Sequence, residues 1–221
     1  TVDGGFVVTG EYFDGSFYTF LLKTDGSGNE QWRKNIGEGW GRSVQQTADG
    51  GFIVAGHNGD ANVFLLKTDG SGNEQWRKTF GVGRSYSVQQ TVDGGFVVTG
   101  MDGIITNSYT VFLLKTDSSG NEQWRKIFGV GRGNTVQQTV DGGFIITGEY
   151  FDDSFYTFLL KTDSSGNEQW RKTFGEGWGR SVQQTVDEGF IVTGIKGDSD
   201  RYSILLLKTN RLGYTDDLVD E

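Results

Sequence analysis

The 221-residue chain contains no cysteine and no proline, and its only histidine is His57. Without cysteine it forms no disulfide bond and offers neither a thiolate metal ligand nor a cysteine nucleophile. A single histidine also argues against Ser-His-Asp triads and against histidine-rich metal sites. From these absences we expect neither a bound metal ion nor a cofactor.

Positive charge is scarce as well, because 20 lysines and arginines stand against 29 acidic residues, for a net charge of −9. Binding to a nucleic-acid backbone or to an anionic membrane surface requires concentrated basic residues, so both partners are disfavoured. The chain has no run of about 18 apolar residues, and we expect no segment inserted in a bilayer. It begins within a repeat at Thr1, which we interpret as a processed or excised chain.

The sequence is rich in internal repetition. The pattern Thr-(Val/Ala)-Asp-(Gly/Glu)-Gly-Phe begins five times, at Thr1, Thr47, Thr91, Thr139 and Thr185. Leu-Leu-Lys-Thr also recurs five times and Gly-Asn-Glu-Gln-Trp-Arg-Lys four times, at intervals of 44–48 residues. The stretch that starts at the first threonine and the one that starts at the fourth are identical at 41 of 47 positions. Self-similarity at this period is typical of repeat architectures.

Each repeat is predicted to form four short strands. In the second repeat these are residues 43–47, 51–56, 63–68 and 74–78, bounded by Asp-Gly and Ser-Gly-Asn turn signals. The connections are too short for crossover helices, so the strands should be antiparallel. The second and third strands are apolar on both faces, as expected where neighbours cover both sides of a sheet. The predicted fold is an all-β propeller of five four-stranded blades in one domain over residues 1–221, with repeat units starting near 1, 43, 87, 135 and 181.

The motif Asp-Gly-Gly-Phe-Ile-Val-x-Gly, followed by Leu-Leu-Lys-Thr-Asp-x-x-Gly-Asn-x-x-Trp, resembles the propeller repeats of bacterial and archaeal secreted or cell-surface proteins. It is also distantly similar to pyrroloquinoline-quinone-type propeller repeats. The unit length and copy number are similar to those of five-bladed tachylectin-type lectins, although their sequence motif is absent. The resemblance covers nearly the whole chain and implies a propeller at an extracellular or cell-surface location. It implies no particular function, since propellers host many activities.

The number of strands at the two ends of the chain does not decide whether the ring of blades closes. The second and third strands have five copies, whereas the first and fourth have four clear copies. The acidic tail over residues 211–221 has the length for one further strand but not for two. We favour an imperfect or tail-assisted five-bladed ring over a ring completed by another chain or a piece of a larger propeller. An incomplete blade also leaves a free strand edge at which self-association can occur.

Differences among the copies concentrate in two sets of connections that a propeller places on one face. The first set joins second to third strands, at 11–16, 57–61, 101–108, 149–154 and 195–201, and the second joins consecutive repeats, at 37–42, 81–86, 129–134 and 175–180. A variable face on a constant scaffold is the expected place for ligand binding, with simple drift of loops as the alternative.

Aromatic rings beside carboxylates and arginines on this face have the chemistry of sugar binding, because the ring stacks on a pyranose and the polar groups bond its hydroxyls. The candidate ligand-binding residues are Trp40, Arg42, Trp178, Arg180, Glu11, Tyr12, Asp14, Glu149, Tyr150 and Asp152. For the two tryptophans among them, the alternative role is to fill gaps between blades. The tryptophan that recurs in every complete repeat is predicted to pack between blades, at Trp32, Trp76, Trp124 and Trp170.

These patterns predict a ligand-binding module, with carbohydrate as the candidate ligand. The alternatives are a structural or protein-interaction module of a larger surface protein or oligomer, and a glycoside-active enzyme. The enzyme would need a suitably spaced pair of carboxylates, and no pair stands out in the sequence, so catalysis is not expected. The Asp-Gly-Ser-Gly-Asn turns resemble a calcium loop only superficially, because the alternating carboxylates and the distal glutamate are missing.

Overall fold

A computed structural model describes residues 1–103, 109–197 and 201–215. Over these ranges the chain forms β-strands and no helix, so the prediction of an all-β fold is confirmed. The strands are β1 (Phe6–Phe13), β2 (Phe17–Thr24), β3 (Glu30–Glu38), β4 (Trp40–Gln46), β5 (Phe52–His57), β6 (Asn62–Thr68), β7 (Glu74–Gln90), β8 (Phe96–Asp102), β9 (Thr110–Thr116), β10 (Glu122–Gln138), β11 (Phe144–Asp152), β12 (Ser154–Thr162), β13 (Glu168–Gln184), β14 (Phe190–Gly197) and β15 (Tyr202–Thr209).

The strands follow one another as an antiparallel meander. Strands β1, β2 and β3 form a three-stranded sheet, and β4 to β15 are hydrogen-bonded in unbroken sequence order. Tight hairpin turns make this order possible, because every strand after β1 except β4 pairs with the strand that precedes it along the chain. The antiparallel arrangement predicted from the short connections is therefore confirmed.

Three strands are much longer than the sequence predicts. β7, β10 and β13 each contain 17 residues, and each unites the fourth strand of one repeat with the first strand of the next. In β7, residues 74–82 pair with β6 and residues 83–90 pair with β8. The predicted connecting loops at 81–86, 129–134 and 175–180 are therefore wrong, because the glycine-rich centres bend with a register shift and stay extended. Of the four predicted connections between repeats, 37–42 alone contains a break between strands, at Gly39 between β3 and β4.

A buried lysine explains the Lys-Thr and Asp-Gly-Gly motifs. The Nζ atom of Lys115, at the end of β9, donates to Oδ2 of Asp93 at 2.8 Å and to the carbonyl of Thr116 at 2.8 Å. Asp93 also accepts a hydrogen bond from the amide of Gly95 at 3.0 Å, so the turn before β8 is fixed to the end of β9. A Cβ atom at Gly95 would lie 2.1 Å from the carbonyl oxygen of Thr116, which explains why this position carries glycine. The same lysine–aspartate pair recurs at Lys23, Lys67, Lys161 and Lys208.

The lysine–aspartate pair predicts loss of stability in acid. Burial acts to raise the pKa of Asp93, but hydrogen bonds from Lys115, Thr91 and Gly95 outweigh it and lower the pKa to about 2. Since this folded-state pKa lies below the ordinary value of 3.8, the stabilisation is present above about pH 4 and is lost as the pH falls toward 2. We expect Asp93→Asn to lower the free energy of unfolding at neutral pH by about 1 kcal/mol, allowing for solvent screening of the half-exposed carboxylate.

Urea unfolding at neutral pH and at about pH 2.5 measures this contribution. The deficit of Asp93→Asn should shrink at the lower pH, because wild-type Asp93 then approaches protonation. Asp60→Asn, in the exposed turn between β5 and β6, is the matched control and should leave stability unchanged at both values. A deficit of equal size at both pH values would contradict this account.

The hydrophobic core lies between successive repeats. We call each such packing interface a joint, formed by the trailing face of one repeat and the leading face of the next. Between the second and third repeats, Ile53, Val63 and Leu65 on the trailing face meet Phe96 and Val98 on the leading face. The recurrent tryptophan covers the first phenylalanine of the next repeat in all four joints, with ring centroids 5.8 Å apart. The predicted packing of these tryptophans between repeats is confirmed.

The first strands of the repeats converge on a common polar cavity. Oε1 of Gln45 accepts the amide of Gln90 at 2.6 Å, and Gln89 accepts that of Gln138 at 2.5 Å. The cavity measures about 330 Å³ and is lined by Val44, Gln45, Val88, Gln89, Val136, Gln137, Ser181, Val182 and Gln183. Strands from four repeats around one cavity indicate a radial arrangement of the repeats, as in a propeller.

The acidic tail begins with a fifth copy of the turn that follows each third strand. The amide of Asn210 donates to the carbonyl of Tyr214 at 2.8 Å, as that of Asp69 does to Asn73 at 2.9 Å. Lys172 lies over the ring of Tyr214, with Nζ 3.7 Å from the centroid. The sequence predicted that the tail over residues 211–221 could supply one strand; residues 211–215 form part of this turn and no strand, and residues 216–221 lie outside the described residues.

Candidate functional site

The candidate site lies where strands β10, β11 and β12 meet the variable connections. The β11–β12 hairpin is tighter than predicted, because Asp152 pairs with Ser154 and only Asp153 stands at the tip, with a φ of 58°. Glu149, Tyr150 and Asp152 are therefore strand residues rather than loop residues. The alternation of side chains along β11 separates Glu149 and Phe151 from Tyr150.

A cavity of about 190 Å³ opens between these strands. Its lining is mostly aromatic and apolar, with one carboxylate and one guanidinium: Tyr109, Val130, Gly131, Arg132, Glu149, Phe151 and Phe155. An apolar pocket with a few converging polar groups is the usual form of a small-molecule site. The pocket therefore combines apolar walls with two charged side chains that converge on it.

Glu149 is the most unusual residue of the pocket, because only 2% of its side chain is exposed. Its Oε1 lies 3.6 Å from Nη1 of Arg132, and Nδ2 of Asn134 donates to its Oε2 at 2.5 Å. Burial raises the pKa of Glu149, and the hydrogen bond from Asn134 and the charges of Arg132 and Arg180 oppose that rise. The carboxylate is thus held rigidly in a site where desolvation strengthens its hydrogen bonds.

Arg132 connects the polar and aromatic parts of the pocket. The strand register places Arg132 directly opposite Glu149. Its guanidinium carbon lies 5.6 Å from the centroid of the Tyr109 ring, a cation–π distance. Nearby Tyr86 is partly buried, and burial raises its pKa against the opposing charges of Arg132 and Arg84. The arginine is therefore fixed by an ion pair on one side and by a ring on the other.

The equivalent carboxylate in the first repeat, Glu11, is in a different environment. Nη1 of Arg42 lies 3.3 Å from Oε1 of Glu11, but 31% of the Glu11 side chain is exposed. In the fourth repeat, β10 supplies Arg132 and Asn134 to Glu149. Strand β1 pairs only with β2 in the described part of the chain, so Glu11 has no such partner strand. Two nearly identical sequences therefore produce one buried carboxylate and one partly exposed carboxylate.

A second depression adjoins the pocket and contains Trp178. It measures about 360 Å³ and is lined by Phe151, Asp153, Ser154, Phe155, Trp178, Gly197 and Tyr202. Phe151 and Phe155 belong to both depressions and are partly exposed, with ring centroids 5.1 Å apart. The two depressions together form a groove, which we call the Glu149 groove, with Glu149 and Arg132 at one end and Trp178 at the other.

Both candidate tryptophans are half-buried in aromatic stacks between repeats. Trp40 lies between Phe17 at 5.3 Å and His57 at 5.0 Å, with its ring nearly parallel to the imidazole. Trp178 lies between Phe155 at 5.9 Å and Tyr202 at 5.6 Å. Burial, reinforced by Arg42 and Arg84, lowers the pKa of His57 to about 4, so its ring is neutral at physiological pH. Each tryptophan packs between repeats, and Trp178 also faces the groove.

The remaining candidates are dispersed. Tyr150 packs against the core between the third and fourth repeats, and Asp152 is exposed near the hairpin tip. Arg180 is exposed and acts on Glu149 through its charge. Tyr12 accepts a hydrogen bond from Asn35 at 2.8 Å, while Asp14 is exposed in the β1–β2 turn.

The sequence prediction missed Tyr109, Arg132, Asn134, Phe151 and Phe155 as site residues. The signal that identifies Arg132 is the strand register, since it pairs directly with Glu149 once β10 is extended through the predicted loop.

Among the described residues, no group of three or more histidine, cysteine, aspartate or glutamate side chains is arranged to hold a metal ion. The described part of the chain also contains no helix long and apolar enough to cross a membrane. The residues that line the Glu149 groove supply the carboxylates of Glu149 and Asp153, the guanidinium of Arg132, and aromatic rings.

No protein-family model and no curated protein matches the chain. Solved structures do match it in fold. The structure of the Dos1 propeller aligns with a TM-score of 0.60 and 13% identity, over 85% of this chain and 51% of that one. The crystal structure of an ACO/RPE65 chimera aligns with a TM-score of 0.56 and 13% identity, over 96% of this chain and 60% of that one.

The chain thus spans about half to three-fifths of the length of these structures. At 13% identity the likeness shows the fold alone. It confirms that the chain has a propeller fold, a class of structure that serves binding and interaction in many settings. Similarity to a particular repeat family or to tachylectin-type lectins finds no support in these matches.

Proposed function

We propose that this chain is a ligand-binding module and that the Glu149 groove binds a carbohydrate. The observation that carries the proposal is the buried carboxylate of Glu149, held by Arg132 and Asn134 beside exposed aromatic rings. Burying a charged group is costly unless it is paired, and here the pairing leaves a fixed polar cluster at a pocket wall. Such preorganised polar groups orient a ligand with little loss of conformational freedom on binding.

The chemistry of the groove matches a sugar ring. A pyranose has a flat apolar face of C–H groups and a rim of hydroxyls that both donate and accept hydrogen bonds. Phe151 and Phe155 provide partly exposed rings for the apolar face, and Glu149 and Arg132 provide an acceptor and a donor for the rim. Trp178, at the far end of the groove, extends the aromatic floor toward a second sugar unit.

Calorimetric titration with a panel of neutral monosaccharides and short oligosaccharides tests the proposal. We expect at least one sugar to bind, and we expect Glu149→Gln to weaken that binding about tenfold, a loss of about 1.4 kcal/mol. The glutamine keeps the shape of the side chain but removes the charge that pairs with Arg132. Glu11→Gln is the matched control at the same position of the first repeat and should leave the affinity unchanged. No binding by any sugar in the panel would contradict the proposal.

The proposal also covers the number of blades and the strands in each. We infer five blades, one from each repeat, with β7, β10 and β13 each shared between two neighbouring blades. The three middle repeats then have four strands each, and the first and last have three described strands each. Binding rather than catalysis is the proposed role, and incubation with the bound sugar should return it unchanged.

A protein-interaction role is the second candidate. It is favoured by exposed apolar residues on the outer faces of the first and last repeats, including Phe6 and Leu206. Contiguous exposed apolar surface of this kind marks interaction sites in soluble proteins.

A further inference from the structure

The four joints of the chain use one recurring set of apolar contacts. On the leading face, the first phenylalanine of the second strand is covered in every joint: Phe52, Phe96, Phe144 and Phe190. On the trailing face, the first leucine of Leu-Leu-Lys-Thr is covered in every joint: Leu21, Leu65, Leu113 and Leu159. All eight side chains are at most 1% exposed, so each joint is a closely packed interface.

The same two positions are uncovered at the ends of the chain. Phe6, on the leading face of the first repeat, is 56% exposed, and Val8 beside it is 43% exposed. On the trailing face of the last repeat, Leu206 is 68% exposed and Ile204 is 89% exposed. Because both faces are exposed together, the described parts of the two end repeats do not pack against each other within one chain.

We propose that the trailing face of the last repeat docks on the leading face of the first repeat of a second copy of this chain. On their second and third strands, the two faces carry the apolar residues that recur in the four internal joints: Phe6 and Val8 match Phe96 and Val98, and Leu206 matches Leu65. The recurrent tryptophan of the fourth strand has no counterpart in the last repeat. The packing of second and third strands against each other in the internal joints is the template for the proposed contact. Each end face is therefore expected to bind the opposite end face of another copy.

The strand edges support the same contact. In the described part of the chain, β1 pairs only with β2 and β15 pairs only with β14, so each end sheet has an unpaired edge next to its exposed face. Free edges readily accept another strand. A head-to-tail contact of this kind is heterologous, and it produces a closed ring or an open filament according to the rotation between copies.

Light scattering after size-exclusion chromatography, over about a hundredfold range of concentration, tests the proposal. The wild-type chain should show a mass that rises above the 24.3 kDa of one chain as concentration increases. Phe6→Asp and Leu206→Asp each place a charge on one end face, and each variant alone should remain at the mass of one chain. Both sites are exposed, so circular dichroism should show an unchanged fold.

Mixing the two variants gives the sharpest test. Phe6→Asp retains an intact trailing face and Leu206→Asp retains an intact leading face, so an equimolar mixture should form pairs and nothing larger. Val92→Asp is the control, because Val92 is 93% exposed on a turn and not on either end face, and it should assemble like the wild type. A wild-type chain that stays at the mass of one chain, variants that assemble alone, or a mixture that fails to pair would each overturn the proposal.

Discussion

Replacing Phe96 with alanine should cost about 4 kcal/mol of unfolding free energy, the loss expected when a fully buried aromatic ring is deleted from a core. Phe96 is 1% exposed, and its ring meets Trp76 edge-on in the joint between the second and third repeats. The substitution removes one of the largest fully buried side chains of the chain and leaves the tryptophan without its partner. The effect should be among the largest that a single substitution produces in this chain.

The first repeat provides a natural control for this substitution. Phe6 occupies the same position as Phe96 but has no preceding tryptophan and is 56% exposed. Phe6→Ala should therefore cost less than about 1 kcal/mol at low protein concentration, where copies of the chain remain apart. Urea unfolding followed by tryptophan fluorescence and by circular dichroism distinguishes local opening of a joint from unfolding of the whole chain. Equal losses for the two variants would show that the joint is not the source of stability.

Gly100→Ala should be nearly as destabilising, at about 3 kcal/mol, because the added methyl group has no space. A Cβ atom on Gly100 would lie 1.9 Å from the carbonyl oxygen of Arg84, in the paired strand β7. A backbone carbonyl cannot rotate away as a flexible side chain can. Strand β7 would therefore have to shift close to the point where its pairing changes from β6 to β8.

Gly10, at the equivalent position of the first repeat, is the control for this substitution. At Gly10 a Cβ atom would meet only ring carbons of Phe20, at 3.0 and 3.1 Å, because no strand in the described part of the chain pairs with that edge of β1. Gly10→Ala should change the unfolding free energy by less than about 1 kcal/mol, since lower freedom of the unfolded chain offsets the small clash. Thermal unfolding of both variants measures the difference, and a similar shift in both would contradict the steric explanation.

The repeat sequence predicts most of the fold because its signals are local. The Asp-Gly-Gly turn and the apolar runs place β5 and β6 within one or two residues of their observed bounds. The continuous strands β7, β10 and β13 could not be predicted in this way. Glycine-rich sequence usually indicates a loop, whereas here glycines let a strand bend while pairing with two different neighbours.

The candidate site is less predictable, because it depends on which strands meet. Sequence reasoning selected Glu149 and Glu11 together, since their repeats are nearly identical. Only the structure distinguishes them, because Arg132 and Asn134 reach Glu149 from a strand that Glu11 lacks. Likewise, the role of Trp178 follows from Tyr202 and Phe155, which approach it from two different repeats.

The shared strands also determine how the chain can be assembled during synthesis. The second halves of β7, β10 and β13 are covalently continuous with the halves that complete the preceding repeats, so the third, fourth and fifth repeats each begin on a strand whose first half is already paired. The first strand of each of these repeats is thus held in place by the preceding repeat, and the hairpin that follows has only to fold back and pair with it. Growth from the amino end toward the carboxyl end is then a series of short steps between sequence neighbours, which keeps contact order low despite an all-β architecture.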